Sequence, residues 1–231
     1  MNTAPHEALA SASLALARHF HRGATLWCWS PAWPTHAEHL AVEFVHPVIV
    51  GKRAQPAIAL VSDGAAARLR HSARPGDVLV AIGSGDDAGL LDVVGRAPAW
   101  GIGAILLAHG ERPAIGTGAN VVWLGAAADH ADIVCAYHLL WELTHVCSEQ
   151  PDLLDGAAEA PSCPACMDAG ELGEVDVPTA GFGSTVIVSG IRRHIDLTLV
   201  EPCESGDLVV VHAGVAIKRF ESPVILGATR G

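Results

Sequence analysis

The chain is poor in positive charge, with 14 Lys and Arg against 25 Asp and Glu in 231 residues and a formal net charge of −11. Binding along a nucleic-acid backbone runs on lysine and arginine, so this balance excludes it as a main activity. Long apolar runs are also missing. None reaches the roughly 18–20 residues that a membrane span needs, so no membrane insertion is expected. The first 22 residues lack a basic n-region, and Arg18, His19 and His21 stand where a signal peptide would be apolar. No secretion signal is expected. The 6 cysteines are scattered, which excludes a disulfide framework and makes a reducing cytoplasm the expected compartment. Internal repeats and low-complexity tracts are absent. What remains is half apolar and only 17% charged, ample material for a packed core.

Hydrophobic periodicity divides the chain into two parts. Alanine and leucine recur at helical spacing over residues 7–20, and Gly23 closes that segment. Residues 25–29, 57–61, 77–82, 103–108 and 120–124 are short apolar runs that predict strands. Residues 34–45, 87–100 and 130–147 predict helices between and after them. Strands alternating with helices predict a parallel sheet covered on both faces, an α/β unit over residues 1–150. Residues 151–162, rich in Pro, Asp, Gly, Ala and Glu, predict a linker. Beyond it, residues 185–188, 192–200, 207–212 and 215–220 predict short strands separated by Gly, Pro and Ser. Residues 163–231 therefore predict a small all-β barrel.

The barrel region carries a Cys163-Pro164-Ala165-Cys166 pair. A structural zinc site needs two further ligands at similar spacing, and no second C-x-x-C exists. A thioredoxin-like motif needs a βαβ setting, which this pair lacks. From the residues alone, the pair reads either as exposed thiol chemistry or as two unremarkable cysteines at a boundary. The stretch that follows is more specific. Gly190-Ile191-Arg192-Arg193-His194-Ile195-Asp196-Leu197-Thr198-Leu199-Val200 leads to Gly206-Asp207-Leu208-Val209-Val210-Val211-His212-Ala213-Gly214-Val215-Ala216-Ile217. It resembles the HypC/HupF family of hydrogenase formation chaperones over residues 163–220. The resemblance implies a β-barrel carrier of an iron fragment bearing cyanide and carbonyl ligands. It implies an iron-binding thiolate at Cys166 or Cys163, with Cys166 favoured by its distance to the first strand, and His212 near it. A soft thiolate suits low-spin iron. In the family the cysteine follows the initiator methionine; here the pair stands behind a whole domain.

In the α/β part, His39 and Glu43 are four apart on one predicted helix face, a spacing used for metal ligands and for acid/base pairs. His36 lies one turn earlier. His130 and His138 lie eight apart on the last predicted helix. Thirteen histidines make chance pairs common, so helical histidines of no special role are the competing reading. Residues 39–44, 56–63 and 76–82, with His138-Leu139-Leu140-Trp141-Glu142-Leu143, resemble the SIS sugar-isomerase fold, in its phosphoheptose isomerase branch. That resemblance implies zinc and acid/base roles at His39, Glu43 and His138, and at His130, where the family usually has glutamine. It implies a phosphate site in two loops. Here they read Trp29-Ser30-Pro31-Ala32-Trp33-Pro34 and Ile82-Gly83-Ser84-Gly85-Asp86-Asp87. Proline removes an amide donor, tryptophan fills space, and two carboxylates oppose an anion, leaving Ser84 as the surviving candidate ligand.

The expectation is thus an α/β SIS-like domain joined to a HypC-like barrel. It would act as a non-enzymatic hydrogenase maturation chaperone that delivers an Fe(CN)2CO fragment. The partners implied are a HypD-like scaffold protein and a hydrogenase large-subunit precursor, with homo-oligomerisation through the SIS-like domain. The alternative is a metal-dependent SIS-type isomerase using Glu43 and His138, with zinc as its cofactor.

Overall fold

The structure, a computed structural model, describes residues 5–115, 118–154, 170–179 and 182–220. Helix α1 (Pro5–His21) buries Leu9, Ala12, Leu16 and Phe20, one stripe at helical spacing. The α/β part continues with β1 (Leu26–Trp29), α2 (Pro34–Val45), β2 (Ala57–Leu60), α3 (Ala65–Ser72) and β3 (Val78–Ser84). Then come α4 (Ala88–Arg96), β4 (Gly103–His109), β5 (Ala119–Trp123), α5 (His130–Ser148) and the single turn α6 (Pro151–Leu154). Helix α3 was not among the expected elements. Among the described residues, no helix is long and apolar enough to cross a membrane.

The strands form a five-stranded sheet in the order β2-β1-β3-β4-β5, every pair parallel. Alternate residues of β3 serve opposite faces. Val78, Val80 and Ile82 pack with Leu16, Leu40, Phe44, Tyr137 and Leu140 of α1, α2 and α5. Leu79 and Ala81 pack with Leu69, Leu90 and Val94 of α3 and α4. Both faces are covered, which is why the strands read as unbroken apolar runs. Strand order reverses between β1 and β3, and the loops beyond their carboxyl ends flank the place where open α/β sheets accept ligands.

The second part comprises β6 (Glu171–Val177), β7 (Phe182–Val188), β8 (Ile191–Asp196), β9 (Leu208–His212) and β10 (Val215–Phe220). They close into a barrel in the order β10-β8-β7-β6-β9 around Val175, Val186, Val188, Ile195, Val209 and Val211. Two hairpins turn on two residues each, both with positive φ: Ser189-Gly190 (51° and 76°) and Ala213-Gly214 (48° and 83°). This twist matches that of the strands they join. The sequence predicted no strand over Glu171–Val177, and it extended β8 to residue 200. Instead, Val200 N–H donates to Leu197 C=O at 2.8 Å and the chain turns there.

The barrel is docked on the α3/α4 side of the sheet. Leu208 joins the apolar cluster beneath α3 and α4. Gly190, at a hairpin apex, donates its N–H to Ala99 C=O at 2.9 Å. A Cβ on Gly190 would lie 2.6 Å from both Pro75 Cγ and Trp100 O, and one on Gly101 would lie 2.6 Å from Ser189 O. The two glycines let the backbones interlock. Glu174 of β6, 3% exposed, completes the joint with Arg70, Arg96 and Trp100.

Candidate functional site

Helix α2 starts with Pro34 in its first turn, where a missing N–H costs nothing, and presents His39 and Glu43 one turn apart. Helix α5 starts on a capping box, Asp129 with Asp132, and brings His138 opposite them. His39 Nε2 lies 3.2 Å from Glu43 Oε1, and His138 Nε2 lies 3.4 Å from the same oxygen. One ligand atom from each residue falls within 4.8 Å of the others. The two imidazoles are nearly half exposed, at 44% and 41%, and the Glu43 side chain is 16% exposed, so the group opens to solvent on one side.

Two imidazoles and one carboxylate at this spacing fit a borderline divalent cation such as zinc, with an open position left for water or substrate. Glu43 is within hydrogen-bond reach of the His39 ring, and the His138 ring stands just beyond. The supports come from α5. Tyr137, fully buried, places its hydroxyl 2.8 Å from His39 Nδ1. Burial, and next the Glu43 carboxylate, push the Tyr137 phenol up to about 12, so it stays neutral. Trp141 Nε1 donates to the Glu43 carbonyl at 2.8 Å.

His130 stands elsewhere, on a second histidine group. Its Nδ1 shares a 2.9 Å hydrogen bond with His36 Nε2. Trp33 packs against both His130 and His109, with ring centroids 4.5 and 4.9 Å apart. Desolvation, followed by the field of His130, holds the pKa of His36 and of His109 below the ordinary histidine value. Both shifts favour the neutral form of His36 and His109. Ser84, at the end of β3, donates its hydroxyl to the Asp86 carboxylate. His212 ends β9 beside the Ala213-Gly214 turn and faces Val215 across the hairpin. Cys163 and Cys166 lie outside the described residues.

Sequence reasoning named His39, Glu43 and His138, which the structure brings together, and passed over Tyr137 and Trp141. Their signal was available: they flank His138 and are four apart, so they share one face of α5. Glu174 was missed because an acid in a short polar stretch reads as solvent-facing.

Residues 174–223 match the HupF/HypC family. Among solved structures, the chain is similar to a phosphoheptose isomerase from Francisella tularensis, at 18% identity and a TM-score of 0.53, covering 62% of this chain and 86% of that one. It is also matched by phosphoheptose isomerase GmhA from Neisseria gonorrhoeae, at 18% identity and a TM-score of 0.49, covering 62% of this chain and 84% of that one. The first likeness establishes the fold of the α/β part and nothing finer. No curated protein matches the chain. An SIS-like α/β domain and a HupF/HypC barrel thus occur in one chain, the fusion that the sequence motifs indicated.

Proposed function

We propose that this chain is a hydrogenase maturation chaperone that binds an Fe(CN)2CO fragment and delivers it, in the cytoplasm, to the large-subunit precursor of a nickel–iron hydrogenase. The observation that carries this reading is the HupF/HypC match over residues 174–223, which includes His212. The fragment is cargo, held by a thiolate of Cys166, with Cys163 as the alternative, and contacted by His212. Geometry supports the pairing. A side chain on Gly170 would run into Val210 and approach Val211 O at 3.6 Å, so the chain enters the barrel beside the end of β9 that carries His212. Cys166 is four residues upstream of Gly170 in the sequence. Leu208, at the other end of β9, is in the domain joint. Four residues of strand set His212 roughly 13 Å away from it. Among the described residues that end of the barrel lies away from the joint, and we take its partner to be a HypD-like scaffold.

Infrared spectroscopy on protein purified from cells that make a hydrogenase tests the reading. Cyanide and carbonyl stretches are expected on the wild type, lost in Cys166→Ala and weakened in His212→Ala. A folded wild-type protein without such bands, from cells with active hydrogenase, would reject the assignment.

The cluster of His39, Glu43 and His138 favours a second reading for the α/β part: a divalent-cation site, zinc by its donor set, inherited with an isomerase fold. In that reading Glu43 and His138 are the acid/base pair, and zinc supplies a Lewis acid when bound. Sugar-phosphate turnover fits poorly with Trp33 packed among His36, His109 and His130 and with Ser84 tied to Asp86. The domain then serves cation or ligand binding and self-association of the carrier.

A further inference from the structure

Two neighbours of His138 on α5 brace the α2 ligands from the buried side. Tyr137 reaches His39 Nδ1 at 2.8 Å, and Trp141 reaches the Glu43 carbonyl at 2.8 Å. Both are core residues, at 0% and 4% exposure, so neither contact is a fluctuating surface one. The Tyr137 ring also meets the His39 ring edge-on, with centroids 5.3 Å apart, which limits rotation of the imidazole about its long axis.

From this geometry we infer that Tyr137 is a positioning residue for a divalent cation held by His39, Glu43 and His138, acting through the orientation and tautomer of His39. The inference rests on the cation reading above. A neutral imidazole that binds a cation through Nε2 carries its proton on Nδ1, and the group that accepts that proton sets the ring's angle and basicity. The Tyr137 oxygen is the group in reach. A hydroxyl suits both states, because it donates as well as accepts. In the tautomer with its proton on Nε2, His39 donates to Glu43 Oε1, 3.2 Å away, and the phenol donates to bare Nδ1. With a cation on Nε2, the imidazole proton sits on Nδ1 and is donated to the phenol oxygen. A carboxylate in place of Tyr137 would add a second negative charge to the core; the phenol leaves Glu43 as the one anionic ligand. Trp141 does the complementary task for the backbone, holding the last turn of α2 so that Glu43 keeps its height relative to His39.

The experiment uses the full chain, stripped of metal with a chelator and titrated with zinc against a chromophoric competitor. Cobalt titration is read by visible absorption, and the ring nitrogens of His39 by 15N NMR. Wild type is expected to bind both ions. Tyr137→Phe, which removes one oxygen, is expected to bind them about 10- to 100-fold more weakly, with a changed cobalt spectrum and a changed His39 tautomer ratio in the metal-free state. Equal affinity and unchanged His39 nitrogen shifts in the variant overturn the inference and leave the cation reading intact. Failure of wild type to take up either ion overturns the cation reading and, with it, the role given to Tyr137. Should Tyr137→Phe unfold, zinc-loaded wild type decides: His39 Nδ1–H must exchange slowly with solvent, and a fast-exchanging proton rejects the phenol as its acceptor.

Discussion

Trp100 Nε1 donates a 2.8 Å hydrogen bond to Glu174 Oε2 across the boundary between the two domains. Arg70 Nε meets the other oxygen of the same carboxylate at 2.7 Å, and Arg96 Nη1 stands 3.4 Å from Oε2. A single acid of β6 therefore satisfies three donors of the sheet domain. Removing it by Glu174→Ala leaves the buried Trp100 indole without its acceptor and takes one carboxylate from two guanidiniums that keep Asp176 and Asp92, a loss on the order of 1–3 kcal/mol. Urea unfolding followed by far-ultraviolet circular dichroism, which reads helix and strand alike, is expected to split into two transitions, one per domain. Glu174→Gln keeps an acceptor for Trp100 and is expected to lose less.

Gly190 predicts a steric test of the same joint. Its φ is 76°, and an added Cβ would sit 2.6 Å from backbone and proline atoms of the other domain. Gly190→Ala is expected to cost on the order of 1–3 kcal/mol. Gly214 is the control, because its φ is 83° but nothing lies within 4 Å of its Cβ position. Gly214→Ala should lower the thermal midpoint by the smaller, purely conformational amount. Equal drops in the two variants would remove the argument for a tight interlock.

Zinc content separates the two histidine groups. His39→Ala and Glu43→Gln are each expected to bring bound zinc to background when the purified protein is analysed by mass spectrometry of metals. His130→Ala is expected to leave it unchanged, since His130 is paired with His36 at 2.9 Å and is not one of the clustered ligands.

Acid should destabilise the fold through His145. This ring is 3% exposed, stacked on Phe44 and edge-on to Trp141. Burial, followed by the Lys52 ammonium, depresses its pKa below the ordinary value, with Glu149 opposing. The unfolded chain then binds a proton near pH 6.5 that the folded chain does not. Stability from this group is full above that pH and falls as pH drops toward the folded pKa, by at most about 1.4 kcal/mol per pH unit. His145→Phe removes this titration and is expected to reduce the fall in urea midpoints between pH 7.5 and 5.5, measured with chelator present, to the share that His36 and His109 contribute. Unchanged slopes would assign the acid sensitivity to other groups.

The sheet was legible because its strands are apolar on both faces, and α2 was legible to its ends because Pro34 marks its start and its apolar residues keep helical spacing. β6 was not. Glu171, Glu174 and Asp176 break its apolar run, and what makes Glu174 a buried residue is Arg70, Arg96 and Trp100, each more than 70 positions away in the chain. Local pattern carries no trace of such a partner. The same limit applies to the site. The His39–Glu43 pair follows from spacing alone. His130 lies eight residues before His138, which displaces it by about 12 Å along α5 and about 80° around it, enough to face His36 instead. Tyr137 was hidden by its own neighbour: one position from a ligand on a helix is the buried side, where a phenol reads as packing.

The meeting of Gly101 with Ser189 and of Gly190 with Pro75 and Trp100 has an evolutionary consequence. A barrel borrowed from another chain would arrive with a hairpin apex unmatched to the turn at residues 98–101. Recombination between relatives should therefore yield poor hybrids. Once fused, the two halves are expected to drift as a matched pair, a substitution at either apex answered by one across from it.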